Sequence, residues 1–416
     1  MRHSKRLCAA VLVLVSLLIG AAVFPYNVHA AAVSAGEAVL DCESGRVLYE
    51  HNADKQMPMA STTKILTAII ILEDCDLDAV VTVPPQAAGT EGSSIYLIAG
   101  EKITVRDLLY GLMLRSGNDC AVTLALYHSG TVEAFAACMN ARAQTMGAVN
   151  SSFVNPHGLP AEGHYTTALD LARIAAYALR NASFREIVSA KEWRTDGDGT
   201  ETVRLFQNKN KMLYNYAGAD GVKTGYTKEA GRCLVTSAER SGSRYVCVTL
   251  NSPSMYERSA ELLDGSFAKF RRAYLFDAET FSVRIPAGSR GKSCACACLE
   301  SFYYPLAEGE ERAIRIEKDV CGGLCLPVRR GDAAGELRIF LENQLLFSQK
   351  IVSIEEVKKS FSDILYEIAK NGREKHAHQQ ISRSLRRRQP PRLRQTYNGR
   401  ESIDQRKTRR TRYGRQ

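Results

Sequence analysis

The alternation of apolar and polar residues predicts strands at both ends of a domain, with helices between them. Alternating segments at Ala38–Cys42 and Arg46–Tyr49 predict a hairpin closed by Glu43-Ser44-Gly45. The apolar run Ile65–Leu72 predicts a buried helix that begins near Ser61. Further helices are predicted at Val105–Tyr127, Val132–Met146 and Thr167–Arg180, and further strands at Thr202–Leu205, Gly231–Glu239 and Tyr245–Asn251. The expected fold class is α+β, an antiparallel sheet flanked by helices with a helical subdomain.

The pattern changes in the last third of the chain. Short β-like segments separated by Gly, Pro and charged residues predict a small all-β sandwich domain over 281–352. An amphipathic helix is predicted over 353–370, with one apolar face formed by Ile354, Val357, Phe361, Ile364, Leu365 and Ile368. The apolar pattern stops there, so residues 371–416 are expected to be a disordered basic tail.

The N-terminus has the pattern of an export signal. Basic residues precede the apolar stretch Ala9–Val23, and Val28-His29-Ala30 offers small residues for cleavage. The alternative is a retained anchor, but the stretch is short for a span of roughly 20 residues. We therefore expect a signal peptide over 1–30, a first domain over 31–275, and a protein that acts on the outer side of the cell membrane or in the cell wall.

The charge of the chain is concentrated in the tail. The net charge is +10, but Arg373–Gln416 contains 15 Lys or Arg and 3 Asp or Glu, so the rest is close to neutral. Export argues against a nucleic-acid partner. The amphipathic helix and the tail instead predict peripheral contact with a membrane surface, although a helix packed on the β domain would have the same pattern.

The cysteine pattern leaves several alternatives open. Of twelve cysteines, Cys8 lies in the predicted signal, and the remaining eleven cannot all pair internally. Cys294, Cys296 and Cys298 would share one face of a strand, and Cys321 and Cys325 would lie on a neighbouring hairpin. A disulfide with free thiols, a metal clip or tolerated surface thiols would each fit this pattern.

Three short motifs carry candidate chemistry. In Ser61-Thr62-Thr63-Lys64, a lysine one helical turn after a serine can remove the serine proton if burial lowers its pKa. In Ser116-Gly117-Asn118, the hydroxyl can relay a proton and the amide can hold a substrate or Lys64; a simple turn has the same composition. In Lys223-Thr224-Gly225, a cation and a hydroxyl suit a terminal carboxylate, and glycine allows close approach.

These motifs occur in an order that resembles the D-alanyl-D-alanine carboxypeptidases, the low-molecular-mass penicillin-binding proteins of peptidase family S11. Asn155-Pro156-His157-Gly158-Leu159 and Gly221–Thr227 also read like that family. The likeness is strong from Ala38 to Phe270 and looser through the β domain. A second S-x-x-K, Ser266–Lys269, is attributed to chance because no further motif follows it.

The resemblance implies a role for each matching residue. Ser61 would form the acyl-enzyme, Lys64 would accept its proton, and Ser116 would pass a proton to the leaving group. Asn118, Lys223, Thr224, Gly225 and Tyr226 would bind substrate, with the N–H groups of Ser61 and Tyr226 as the oxyanion hole. The implied partners are the D-Ala-D-Ala ends of peptidoglycan pentapeptides and β-lactams, which would acylate the same serine. No metal or organic cofactor is implied.

Other functions remain as alternatives. A serine β-lactamase shares the motifs, but Asn155–Leu159 offers no recognisable deacylating base. A non-catalytic penicillin- or muropeptide-binding protein would not need the intact Ser61 and Lys64. A wall-polymer binder would depend on the tail. His157 lies in an Asn-Pro turn without a G-x-S-x-G elbow, and His157, Glu162 and His164 lack zincin spacing, so a triad or a metalloprotease is not expected.

Overall fold

The computed structural model of the chain describes residues 34–195, 199–288, 291–366 and 368–369. The predicted signal peptide and basic tail lie outside these residues. The chain divides into two compact units, each assembled from segments separated in sequence. The described part of the first comprises 34–195, 199–280, 299–317 and 338–348, and that of the second comprises 281–288, 291–298, 318–337, 349–366 and 368–369.

Helices and strands follow one another in the predicted order. The strands are β1 (Gly36–Asp41), β2 (Val47–His51), β3 (Val80–Thr82), β4 (Lys102–Thr104), β5 (Glu192–Thr195), β6 (Arg204–Gln207), β7 (Ala219–Thr227), β8 (Gly231–Arg240), β9 (Ser243–Leu250), β10 (Phe270–Phe276), β11 (Val283–Pro286), β12 (Ser293–Ala297), β13 (Phe302–Ala307), β14 (Ile314–Val320), β15 (Ala333–Leu341) and β16 (Gln344–Ser353). The helices are α1 (Lys64–Asp74), α2 (Val105–Tyr110), α3 (Asn118–Ser129), α4 (Val132–Thr145), α5 (Ala168–Ala178), α6 (Ala182–Ser189), α7 (Met212–Asn215) and α8 (Met255–Lys269).

The main sheet of the first unit is antiparallel and ordered β2-β1-β9-β8-β7. Strand β7 is therefore an edge strand among the described residues. A second five-stranded sheet is ordered β11-β12-β16-β15-β14, and shorter pairs are formed by β3 with β4, β5 with β6, and β10 with β13.

Helix α1, which begins at Lys64, is deeply buried. Residues 64–71 of α1 are all buried, as expected for a helix that is apolar on every side. Other helices begin where a polar side chain caps the first turn: Thr104, Thr131, Thr167 and Asn181 each accept a backbone N–H three residues ahead. The core of the first unit thus holds α1 in a fixed position.

Two predicted helices differ from the structure. The helix predicted over Val105–Tyr127 is interrupted by a π-helical turn at Gly111–Arg115 and by Ser116, whose φ is +65°. The helix predicted from Ser353 is wrong at its start, because Ser353 ends β16 and Val357 pairs with Val328 in extended conformation. Residues 361–366 are helical, following Ser360, whose N–H donates to the Asp363 carboxylate.

None of the described helices combines the length and the apolar character needed to cross a membrane. The face predicted to be apolar is exposed in the described C-terminal helix. Phe361, Ile364, Leu365 and Ile368 are all exposed.

Candidate active site

Ser61 lies in a tight turn directly before α1. Ala60–Thr63 form a 3₁₀ turn, and Ala60 has a φ of +50°. The side chain of Thr62 donates to Met59 O at 2.6 Å, and that of Thr63 donates to Ala60 O at 2.9 Å. These bonds fix the backbone on both sides of Ser61, whose side chain lines an open cleft of about 490 Å³.

The side chain of Lys64 is fully buried and contacts Ser61. Its Nζ lies 3.0 Å from Ser61 Oγ, 2.7 Å from Asn118 Oδ1 and 2.6 Å from His157 O. A neutral amine has two N–H groups and one lone pair. With its two N–H groups donating to Asn118 and His157, Lys64 directs its lone pair at the Ser61 hydroxyl.

The electrostatics of the site favour that neutral amine. Burial, and then repulsion by the cation of Lys223, hold the pKa of Lys64 well below its usual range. Asn118 and the His157 carbonyl accept hydrogen bonds but carry no negative charge that would restore the ammonium. Lys64 therefore meets the requirement for a general base towards Ser61.

The second motif follows the π-helical turn. Ser116 is held in the left-handed region and lines the same cleft as Ser61. A non-glycine residue in this conformation costs roughly 1–3 kcal/mol and is often found at functional sites. Asn118 opens α3, and its amide donates to Glu91 O at 2.5 Å while its oxygen accepts from Lys64. The helix break thus places Ser116 in the cleft and Asn118 beside Lys64.

Asp119, the residue after this motif, holds a neighbouring loop. Its buried carboxylate accepts hydrogen bonds from Ser94 Oγ and from the N–H groups of Ile95 and Leu97. The Asn118 N–H also donates to Ser93 O at 2.7 Å, and Ser93 lines the cleft. This function of Asp119 was not predicted from the sequence, because it depends on a loop about 25 residues earlier in the chain.

The third motif lies within β7, at the edge of the main sheet. A Cβ added to Gly225 would lie 3.1 Å from Ser61 N, so the strand passes close to Ser61, and a larger residue there would force its neighbours to shift. Thr224, Gly225 and Tyr226 line the cleft. Lys223 is buried and donates to Thr224 O, and burial, with a smaller contribution from Lys209, lowers its pKa to about 7.

The two histidines near the site are structural. Burial lowers the pKa of His157 to about 3 and that of His164 to about 4, and any positive charge on Lys64 is a second, smaller cause. His164 Nδ1 accepts the Val154 N–H, so its Nε2 donates to Thr63 Oγ1 at 2.9 Å. His157 contributes its backbone carbonyl to Lys64, in agreement with the expectation that it is not a base.

The cleft also has residues that were not among the predicted site residues. Lys209, Arg232, Met255 and Tyr256 line it together with Ser93 and the predicted residues. They come from the loop before α7, the start of β8 and the start of α8. Only the tertiary fold brings these segments together, so no local pattern in the sequence could have identified them.

The cysteines and acidic residues that the structure describes give little support for a metal site. All eleven described cysteines are free, and Cys294, Cys296 and Cys298 are buried rather than surface thiols. The group of possible ligands found among the described residues is Asp74, His128 and Cys138. Arg142 and His128 already bond to the Asp74 carboxylate, so its negative charge is compensated without a metal ion.

A serine paired with a buried lysine, in a cleft bordered by an edge strand, defines an active-serine enzyme of acyl transfer. Residues 25–254 match the family model of the D-alanyl-D-alanine carboxypeptidases, and this chain belongs to that family. The predicted family, fold class and enzyme class, a serine D-Ala-D-Ala carboxypeptidase, are confirmed.

Individual relatives of known name align with this chain over most of their own lengths. The chain is 31% identical to the D-alanyl-D-alanine carboxypeptidase DacF of Bacillus subtilis, covering 77% of this chain and 85% of that protein. It is 37% identical to a D-alanyl-D-alanine carboxypeptidase of a Streptomyces species, covering 52% of this chain and 80% of that protein. Penicillin binding protein 5 of Haemophilus influenzae has a similar structure, with a TM-score of 0.65 and 26% identity over 79% of this chain and 98% of that one.

Proposed function

We propose that this carboxypeptidase removes the terminal D-alanine of peptidoglycan pentapeptides through an acyl-enzyme on Ser61. The observation that carries the proposal is the 3.0 Å contact between Ser61 Oγ and a fully buried Lys64. The names of the relatives, which include D-alanyl-D-alanine carboxypeptidases and a penicillin binding protein, support the substrate and the inhibitor class.

In the acylation step, neutral Lys64 takes the Ser61 proton while Oγ attacks the carbonyl of the penultimate D-alanine. The N–H groups of Ser61 and Tyr226 stabilise the oxyanion. Collapse of the tetrahedral adduct breaks the peptide bond, and Ser116 passes the proton from Lys64 to the leaving amine of D-alanine.

In the deacylation step, water takes the place of the leaving group. Lys64 removes a proton from the water, the hydroxide attacks the ester on Ser61, and the proton returns to Oγ. The net reaction consumes one water and releases one D-alanine and the shortened peptide. All atoms are accounted for without a metal or an organic cofactor.

Substrate binding is assigned to β7 and its neighbours. Lys223 and Thr224 hold the terminal carboxylate, which also compensates the buried cation of Lys223. Gly225 lets the peptide lie close to the strand, and Asn118 positions it. A β-lactam carries a carboxylate and a reactive amide at a similar separation, so it is proposed to acylate Ser61 and block the site.

We also propose that the chain is exported and works at the outer face of the membrane. The support is the sequence pattern of residues 1–30 and the exposed apolar side chains of Phe361, Ile364, Leu365 and Ile368. In this proposal residues 31–275 form the catalytic domain and 281–352 a small β domain. The C-terminal helix and the tail 371–416 then contact the anionic membrane surface.

Intact mass spectrometry after incubation with penicillin tests the nucleophile. Wild type should gain the mass of one penicillin, and Ser61→Ala should gain none. Ser266→Ala is the matched control, because Ser266 is the serine of the second S-x-x-K but is buried and bonded to Leu262 O. It should be labelled like wild type.

Turnover separates the carboxypeptidase from the alternatives. Release of D-alanine from a pentapeptide by wild type, and its loss in Ser61→Ala, is the expected result. An adduct that forms on Ser61→Ala would overturn the assigned nucleophile. Rapid hydrolysis of penicillin without a lasting adduct would favour a β-lactamase, and binding of the peptide without D-alanine release would favour a non-catalytic protein.

A further inference from the structure

We infer that Arg232 recognises a second carboxylate on the stem peptide, located on the N-terminal side of the bond that is cleaved. The preferred substrates would then be stem peptides with an acidic side-chain group close to D-Ala-D-Ala, in addition to the terminal carboxylate. The inference rests on the proposed function, because it uses the orientation of the peptide along β7.

The proposed roles of the residues in β7 set that orientation. The terminal carboxylate binds at Lys223 and Thr224, and the carbonyl of the bond to be cleaved binds at the Tyr226 N–H. The C-terminus of the peptide therefore lies beside residues 223 and 224 of β7, and the residues before it lie beside later positions of the strand. An extended peptide continues in the same direction, so its preceding residues pass the end of the strand at Thr227.

Arg232 lies at that end of the strand. In the ladder between β7 and β8, Tyr226 is paired with Arg232, and Thr227 with Gly231. Side chains of directly opposed residues project from the same face of a sheet and lie about 5 Å apart at Cβ. Both Tyr226 and Arg232 line the cleft that contains Ser61. The guanidinium is therefore beside the part of the peptide that precedes the cleaved bond.

The charges around the cleft call for an anionic ligand. Of the residues that line it, Lys209 and Arg232 are cationic and none is acidic. Lys223, which precedes the cleft residue Thr224 in β7, binds the terminal carboxylate under the proposed function. The terminal carboxylate is bound at Lys223, so it does not compensate the charge of Arg232. Within the described part of the chain no Asp or Glu side chain forms an ion pair with Arg232 either.

Arg232 is also free to form a two-point contact. Its side chain is exposed, and Nη1 donates to Pro253 O at 3.3 Å. This single bond orients the group and leaves most of its five N–H donors available. A planar guanidinium matches a carboxylate with two parallel hydrogen bonds, whereas a carboxamide offers one acceptor and no charge.

The test compares three synthetic stem peptides that end in D-Ala-D-Ala. Their third residue carries a side chain with a free carboxylate, the same side chain as a carboxamide, or lysine. The rate of D-alanine release gives kcat/KM for wild type, Arg232→Gln, Arg232→Lys and Arg240→Gln. Arg240 is the matched control, because it lies on the same strand β8 at the opposite end.

Wild type and Arg240→Gln should prefer the carboxylate peptide over the carboxamide by up to roughly fivefold, the upper end of the range for an exposed charge pair. Arg232→Gln should lose that preference, and Arg232→Lys should keep part of it. The preference of wild type should decrease with added salt, because salt screens exposed charges. Penicillin labelling of each variant checks that the cleft is folded.

Three results would overturn the inference. Wild type could turn over all three peptides without preference, or Arg232→Gln could keep the preference of wild type. In either case D-alanine release would still support the proposed function. If wild type turned over none of the peptides, the proposed function would fail and this inference would fail with it.

Discussion

Replacement of Gly158 by alanine tests whether the loop after α4 holds the nucleophile in place. Gly158 has a φ of +91°, and an added Cβ would overlap the Ala60 carbonyl oxygen and lie 2.8 Å from Thr63 Oγ1. Both atoms belong to the turn that carries Ser61. The backbone oxygen cannot move without moving the peptide plane next to the nucleophile.

The expected magnitude has two parts. A Cβ in the left-handed region costs about 1–2 kcal/mol, and forcing an extra carbon into a packed site costs about 1–3 kcal/mol. Gly158→Ala should therefore lower the free energy of unfolding by about 2–5 kcal/mol. A displacement of Ser61 by about 1 Å should slow acylation by about 10²-fold in the molecules that remain folded.

Gly163→Ala is the matched control. Gly163 lies in the same loop with a φ of +78°, but its added Cβ would meet only Val154 Cγ1 at 3.8 Å. It should lose about 1–2 kcal/mol and acylate at nearly the wild-type rate. Urea denaturation measures stability, and the rate of the penicillin mass shift measures acylation. Equal stability and equal acylation rates for the two variants would refute the reasoning about the Ala60 contact.

Three further predictions concern charges. Arg258→Met should cost about 3–5 kcal/mol in urea denaturation, since it leaves the fully buried Glu37 carboxylate unpaired; a loss below about 1 kcal/mol would contradict this. The pH profile of kcat/KM should be bell-shaped, because the reaction needs neutral Lys64, whose pKa is lowered, and cationic Lys223, whose pKa is about 7. Activity should fall on the acid side as Lys64 gains a proton and on the alkaline side as Lys223 loses one. A flat profile would rule out these roles. Asp119→Ala should slow penicillin acylation about tenfold and lower stability by about 1–3 kcal/mol, because it leaves buried N–H donors unsatisfied; wild-type values for both would show that the loop is held by other contacts.

Elements with a strong apolar pattern could be predicted from the sequence. The buried helix α1, the hairpin of β1 and β2, and the strands β8 and β9 lie within a few residues of their predicted positions. The patterns of α1, β1, β8 and β9 are clear because most of their residues are buried, whereas β2 is indicated by its place in the hairpin. The three motifs were also identified, and the structure brings all of them to one cleft.

Features that depend on distant residues could not be predicted. The π-helical turn before Ser116 has the same apolar residues as an ordinary helix. The helix expected from Ser353 begins later, because backbone pairing of Val357 with Val328 outweighs its apolar spacing. Arg232 and Lys209 carry no local signal, since their importance comes from a cleft formed by segments far apart in the chain.

The free edge of β7 has a consequence for resistance to inhibitors. An inhibitor that lies along this edge is held by main-chain N–H and C=O groups, which no side-chain substitution other than to proline removes. Gly225 lies against the backbone of Met59 and Ser61, so even a methyl group there would disturb the nucleophile that the enzyme needs. Variants that escape an inhibitor while keeping activity should therefore arise at the rim of the cleft, at residues such as Tyr226, Met255 and Tyr256.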